Sequence, residues 1–259
     1  MAVPMGPGVT AVMTARAGGV SPQPWASCNL GDHVGDDKQR VHANREVLAR
    51  CLPARPVFME QVHGEAVARL RAGASPDGSP AIQADGALST EPGVACVVMV
   101  ADCLPILLAA PQGRGVAALH AGWRGLAGHG PACPSGRGIV HAGVLALCEA
   151  TGADPADLRA WLGPCIGPRA FEVGADVLAG FGVTPVDGVA APRFEPCPGL
   201  PGKWLADLPG LARDRLQALG LQHITGGEWC TVSAPGRFFS HRRDGRSGRQ
   251  AAAICLSAG

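Results

Sequence analysis

The sequence predicts an α/β protein in which mixed central sheets are flanked by helices. Three observations carry this expectation. Apolar runs of strand length, at 94–101, 104–110 and 116–119, are interleaved along the chain with segments of helical period. Of 259 residues, 47% are hydrophobic and only 17% charged, enough to bury a substantial core. No internal repeat and no break in composition divides the chain, so 1–259 reads as a single domain.

In order along the chain, residues 9–15 read as a short strand followed by a turn at Gly18-Gly19. Residues 36–52 carry helical spacing, with Val41, Val47, Leu48 and Leu52 near one face and Pro53 as a stop. A polar loop, 28–37, leads into that helix. PVFMEQVH at 56–63 has the composition of a strand, 64–70 is a looser stretch able to pair with it, and 72–80 is a turn-rich loop. An ordered segment begins at Asp85-Gly86. VACVVMVA at 94–101 is apolar throughout, as suits a strand covered on both faces, and it stops abruptly at Asp102-Cys103. A turn at 113–115 separates the run at 104–110 from a strand at 116–119 that ends at His120. Residues 127–138 read as an exposed loop, 139–150 as a helix and 158–162 as a strand. Helical spacing returns at 174–181 and at 205–219, where Leu208, Leu211, Arg215 and Leu219 fall in series, with a Pro/Gly-rich connection between. AAAICL at 251–256 is the last strand.

Composition excludes several classes of function. Lys+Arg 22 against Asp+Glu 21 gives a formal charge of +1, too weak a field to hold nucleic acid or an anionic membrane, so neither is expected as a partner. There is no tyrosine, which removes tyrosine catalysis, and Lys38 and Lys203 are the only lysines, which disfavours a Schiff base. Arginine therefore supplies nearly all positive charge, favouring planar recognition of carboxylate or phosphate. Ten scattered cysteines read as reduced thiols. The N-terminus lacks a basic start with an apolar stretch, and no apolar run reaches membrane-spanning length, so a soluble cytoplasmic protein of open oligomeric state is expected.

Three metal-ligand types fall at the carboxyl ends of three separate apolar strands: His63, Cys103 and His120. Ligands so placed can converge on one point. Two imidazoles, one thiolate and an open fourth position form the pattern of a catalytic zinc, whereas structural zinc takes four ligands close in sequence. The same residues also fit a metal-free reading, with a Cys103 thiolate activated by His120, and a third in which they are ordinary core residues. Asp102 and Asp85 are candidates for proton transfer or for orienting ligands, against ordinary turn chemistry. In HAGWRG, Arg124 is placed to grip an oxyanion, and Trp123 either stacks on a flat ring or packs in the core. GPCIGPRAFEVG at 163–174 has the shape of a turn that presents backbone N–H groups to an anion. RRDGRSGRQ at 242–250 reads as the solvated tip of a hairpin.

Together NLGDHVGDD with Asn44-Arg45, EQVHG, ADG, ADCLPILL, HAGWRGL, WLGPCIGPRAFEVG and FFSHRRDGRSGRQ occur in an order that resembles the YfiH-type family, also called the multicopper polyphenol oxidase or laccase-domain family. The resemblance spans about Arg16 to Leu256. It implies a single-domain α/β fold like the catalytic domain of the cytotoxic necrotizing factor toxins, and one zinc per chain held by His63, Cys103 and His120, with copper ranked below zinc. Activities attributed to the family are purine nucleoside phosphorolysis (adenosine, inosine, methylthioadenosine), adenosine deamination, editing of peptidoglycan precursors by amide hydrolysis, and copper-dependent phenol oxidation. Oxidation ranks lowest, because several copper centres need more histidines than one His2Cys set provides. The resemblance thus implies a zinc-dependent purine nucleoside phosphorylase with adenosine deaminase activity. Cys103, His120, His63 and Asp102 would be catalytic, and Asn29, His33, Arg45 and Arg124 would contact phosphate or ribose. Two departures stand out: residues 127–137, with His129 and Cys133, look like an insertion, and Val232 and His241 stand where relatives commonly have tyrosine.

Overall fold

The computed structural model describes residues 1–73 and 82–257. Most of the expected loop at 72–80 lies outside the described residues.

Six strands form the larger sheet: β3 (Val67–Arg69), β4 (Gly86–Ser89), β6 (Leu104–Ala109), β7 (Val116–Ala121), β8 (Arg159–Leu162) and β12 (His223–Gly226), in the spatial order β12-β8-β6-β7-β4-β3. The pairings β12-β8 and β4-β3 are parallel and the others antiparallel, so the sheet is mixed as the sequence predicts. A second sheet has the order β1-β13-β5-β2, from β1 (Val9–Met13), β13 (Gln250–Leu256), β5 (Val94–Val100) and β2 (Arg55–Val57). The C-terminal strand is thus inserted between β1 and β5.

The side-chain alternation of β5 explains its unbroken apolar run. Cys96, Val98 and Val100 point into a core shared with Leu107, Ala109, Val116 and Ala118 of the larger sheet. Val97 and Met99 point the other way, against Leu30 and against Leu48 of helix α1 (Lys38–Arg50). The larger sheet repeats the pattern: Leu104, Ile106 and Leu108 face a third cluster built with helices α3 (Ile139–Thr151) and α5 (Leu208–Ala218). The result is a helix–sheet–sheet–helix stack. Each fully buried Leu, Ile or Val contributes roughly 1.5–3 kcal/mol relative to exposure.

Helix α1 starts where Asp37 caps the backbone N–H groups of Gln39 and Arg40. Helix α3 ends at Gly152, whose φ of 65° is the left-handed geometry that releases a chain from a helix. Four sequence expectations are corrected in extent. The strand expected at 56–63 stops at Val57, and 58–66 runs on as an irregular segment that bridges Gln83 at Glu60 and accepts the N–H of Gly86, at the start of β4, at Ala66. The strand expected at 9–15 ends at Met13, and the helix expected at 36–52 spans Lys38–Arg50. The helix expected at 205–219 starts at Leu208, because Trp204–Ala206 forms strand β11. That strand lies between β9 (Glu172–Val173), at the end of GPCIGPRAFEVG, and β10 (Phe194–Pro196), inside the expected Pro/Gly-rich connection, in a small antiparallel sheet. After β7, Trp123–Ala127 forms a short helix, α2, and α4 (Ala175–Gly180) packs against it. Among the described residues no helix is long and apolar enough to cross a membrane.

Candidate active site

Asp85 is fully buried at the start of β4 and organises the site. Its carboxylate accepts the backbone N–H groups of Val62 (3.1 Å), His63 (2.9 Å) and Gly64 (2.7 Å), and its Oδ1 lies 2.8 Å from His120 Nδ1. One side chain therefore pins the irregular segment that carries His63, which adopts a left-handed φ of 61°, and also orients the imidazole of His120. With Nδ1 held by the carboxylate, Nε2 of His120 is left for another partner. This is the orienting role proposed for Asp85 from sequence.

Strand-end placement holds for Cys103, just past β5, and for His120, at the end of β7, and is corrected for His63. His63 follows an irregular segment, Cys103 sits in the tight link between β5 and β6, and His120 is paired with Pro105. They nonetheless converge. The ligand atoms of His63, Cys103 and His120 all lie within 4.8 Å of one another. The two imidazoles meet edge to face at 4.8 Å between centroids, and Cys103 Sγ is 3.7 Å from His63 Nε2. Ordinary zinc–nitrogen and zinc–sulfur bond lengths in a tetrahedron would put these two atoms about 3.6 Å apart. The donor set thus fits a zinc. Burial disfavours ionisation of Cys103, but His120 and His63 facing it bring its thiol well below the ordinary value. Burial likewise works against a charged His120, yet Cys103 and Asp85 raise its pKa. Each partner favours the charged form of the other.

Gly122 makes the convergence possible. A Cβ there would stand 2.8 Å from Cδ2 of His63 and 3.0 Å from Sγ of Cys103. Gly122→Ala is expected to push the three side chains apart and to weaken metal binding there about tenfold or more while the chain still folds. Competition with a chelator of known affinity, alongside circular dichroism, checks this.

The three ligands line a cavity of about 470 Å³. Met99, Val100, Trp123, Ile166, Phe171 and Leu208 supply an apolar lining, and His33, His241, Arg242 and Arg249 a polar, cationic one. Trp123 is stacked on His129 at 5.7 Å and 22°, so the expected insertion backs a wall of the cavity. Glu65 holds that loop, accepting from Ser135 N and Oγ and from Gly138 N. Gln61 also borders the cavity, but its amide is engaged with both backbone groups of Met99.

The other sequence candidates take different places. Asp102 borders the cavity, yet its carboxylate accepts from Thr231 Oγ1 (2.5 Å) and from the backbone N–H of Arg242 (2.6 Å), so it holds those segments against the site. His33 reaches the cavity wall beside its partner Asp32. Arg45 lies outside the lining, packed 4.0 Å over Phe58 and paired with Asp32. Asn29 is buried, bonding Gly31, Asp36 and the backbone of Arg249. Arg124 stacks on Trp123 at 4.4 Å and does not line the cavity. The stretch 242–250 is no solvated hairpin tip: His241–Asp244 is a short helical turn, and Arg242 and Arg249 both line the cavity. Sequence reading missed Arg249 as a site residue.

A family model described as multi-copper polyphenol oxidoreductase laccase matches residues 10–257. The chain belongs to this YfiH-type, laccase-domain family. It is 44% identical over 249 residues to a Pseudomonas aeruginosa relative named purine nucleoside phosphorylase PA4543, covering 96% of this chain and 93% of the relative. It is also 44% identical over 258 residues to purine nucleoside phosphorylase YfiH of Escherichia coli K12, covering 98% and 96%. Among solved structures, the YfiH-type chain matches Neisseria meningitidis protein NMB0706 with a TM-score of 0.86 and 38% identity over 100% of this chain and 99% of the other. YlmD from Geobacillus stearothermophilus matches with a TM-score of 0.84 and 34% identity, over 99% and 94%. Membership in the YfiH-type family agrees with the order of motifs in the sequence.

Proposed function

We propose that this protein is a zinc-dependent purine nucleoside phosphorylase acting on adenosine, inosine and methylthioadenosine, with adenosine deamination as a second reaction. The observation that carries the reading is the meeting of three elements in one cavity: the His63–Cys103–His120 group, an apolar lining that includes Trp123 and Phe171, and cationic side chains. A purine needs a flat apolar surface, and phosphate needs positive hydrogen-bond donors. Relatives that carry the phosphorylase name align over nearly their whole length, which supports the same reading.

A zinc held by His63, Cys103 and His120 would supply Lewis-acid charge stabilisation, and for deamination an acidified water. The chain itself supplies the rest. Trp123 and Phe171 offer ring surfaces to the base, and Asp85 fixes the tautomer of His120 through Nδ1. In phosphorolysis a phosphate oxygen bonds to the anomeric carbon as the glycosidic bond to the purine breaks, and the cationic lining offsets the phosphate charge. Oxidase chemistry with several coppers is less well supported, since among the described residues His63, Cys103 and His120 are the one group of three or more such ligands. Ten free cysteines fit a reducing, cytoplasmic setting for this enzyme.

Protein purified without added metal should hold about one zinc per chain. Given adenosine, it should release adenine only when phosphate is present, and any inosine formed without phosphate reports deamination. Retained zinc with neither product would overturn the proposal and turn attention to amide hydrolysis of a cell-wall precursor. Several coppers per chain would restore the oxidase.

A further inference from the structure

Arg249 is held largely by backbone groups. Its own N–H donates to the buried Asn29 Oδ1 at 2.9 Å, and its carbonyl accepts from Leu30 N at 3.0 Å. The aliphatic part of its side chain crosses Gly31, where an added Cβ would come within 2.7 Å of Arg249 Cγ. Its Nη1 donates to the carbonyls of Ser247 and Gly248, both at 3.1 Å, which fixes the guanidinium plane. Among the described residues, no carboxylate forms an ion pair with Arg249, and its Nε and Nη2 have no hydrogen-bond partner. The residue is partly buried and lines the same cavity as Cys103 and His120.

The charges of Cys103 and Asp102 reach Arg249, but the Asp102 carboxylate is taken up by Thr231 Oγ1 and the N–H of Arg242 and makes no close ion pair with it, so the positioned guanidinium keeps donors suited to a planar-forked pair of oxygens from an anion. The other arginines near the cavity are differently placed: Arg242 donates to the Glu172 carbonyl, and Arg45 is paired with Asp32 outside the lining. We propose that Arg249 is the principal seat for a tetrahedral oxyanion in the cavity, which under the phosphorylase reading is the phosphate co-substrate. The inference rests on that reading for the role of the anion, and on the geometry of Arg249 for its place. Asn29 and Gly31 are then positioning residues that act through Arg249, and this accounts for Asn29 without a direct contact to substrate.

The test measures binding of inorganic phosphate by calorimetry, without nucleoside, to the zinc-loaded wild type and to Arg249→Gln and Arg249→Lys. Zinc content and circular dichroism are followed in parallel. Arg249→Gln is expected to weaken phosphate binding about tenfold or more and to raise the KM for phosphate correspondingly, with the KM for nucleoside nearly unchanged. Arg249→Lys keeps the charge but loses the fork, so an intermediate loss is expected, and it serves if the glutamine variant does not fold. A nucleoside 5′-monophosphate tested in the same way separates free phosphate from an esterified one: competition with inorganic phosphate that depends on Arg249 would place the 5′-phosphate in the same seat. Unchanged phosphate affinity in a folded, zinc-loaded variant, or no phosphate binding by the wild type, would overturn the proposal. Phosphate binding that depends on Arg249 without phosphorolysis would retain the anion seat and defeat only the phosphorylase reading.

Discussion

Cys103→Ala is expected to remove both zinc and nucleoside turnover while leaving the protein folded. The thiol is the one sulfur donor of the group, and the imidazoles of His63 and His120 face it. Its ionisation is favoured by those imidazoles despite burial, so the substitution deletes the anionic ligand and leaves only the two imidazoles. Two histidines alone hold zinc poorly, and the loss of its charge stabilisation should lower turnover by about three orders of magnitude or more. The packing cost is small, because Cys103 is only partly buried and the side chain removed is a single sulfur. Metal analysis, circular dichroism and the assay with phosphate together make the check. Normal turnover in this variant would defeat the proposed function. Cys103→Ser sharpens the result, since a hydroxyl of similar size does not ionise near neutral pH, and a serine variant as inactive as alanine shows that the thiolate matters rather than the volume.

Asp85→Asn is the second large effect. The carboxylate serves four donors, three consecutive backbone amides and His120 Nδ1, and a neutral amide has one oxygen to offer them. At least one buried N–H loses its acceptor, at a cost of about 1–3 kcal/mol, and the tie between the His63 segment and His120 is broken. Zinc affinity should fall between about tenfold and a hundredfold, with thermal stability lowered as well. Burial would raise the pKa of Asp85, but His120 and the amides hold it below the usual carboxylate value. A lowered folded pKa stabilises the fold above the unfolded value of about 3.9 and is lost as pH falls through the folded value. Wild-type stability should therefore decline as pH drops below about 4, and the part due to Asp85 should be missing from the asparagine variant. Denaturant unfolding of the metal-free proteins across that range measures it, and parallel acid limbs would contradict the assignment.

The layered core was legible because its strands are long and lie between two covering layers, which demands side chains apolar on both faces. VACVVMV shows this plainly: Val97 and Met99 meet α1 while Val98 and Val100 meet the other sheet. The small sheet was not legible, because strands of two or three residues at Glu172–Val173, Phe194–Pro196 and Trp204–Ala206 are too short to show a period. The metal-ligand types were readable from chemistry, but the reason offered for their convergence does not hold for His63. Burial of Asp85 beneath three amides, rather than a shared strand end, carries His63 to its place. Arg249 was missed for a related reason. Its neighbours in sequence are Gly, Ser and Arg, the composition of an exposed turn, and what turns it inward is Asn29, 220 residues away. Arg45 and Arg124 were over-read because local motif chemistry does not reveal that Phe58 and Trp123 already occupy their guanidinium faces.

The insertion of β13 between β1 and β5 has a bearing on the order in which the molecule is assembled at the ribosome. Until residues 250–256 emerge, β1 is bonded among the described residues only to the segment 1–3, and β5 offers an unpaired edge where β13 will lie. Arg249 is the residue immediately before that strand, and it meets Asn29 only once the strand has docked. The cavity is thus completed late in chain order: His63, Cys103 and His120 are all made well before residue 249, but the pocket around them closes only when 250–256 has docked.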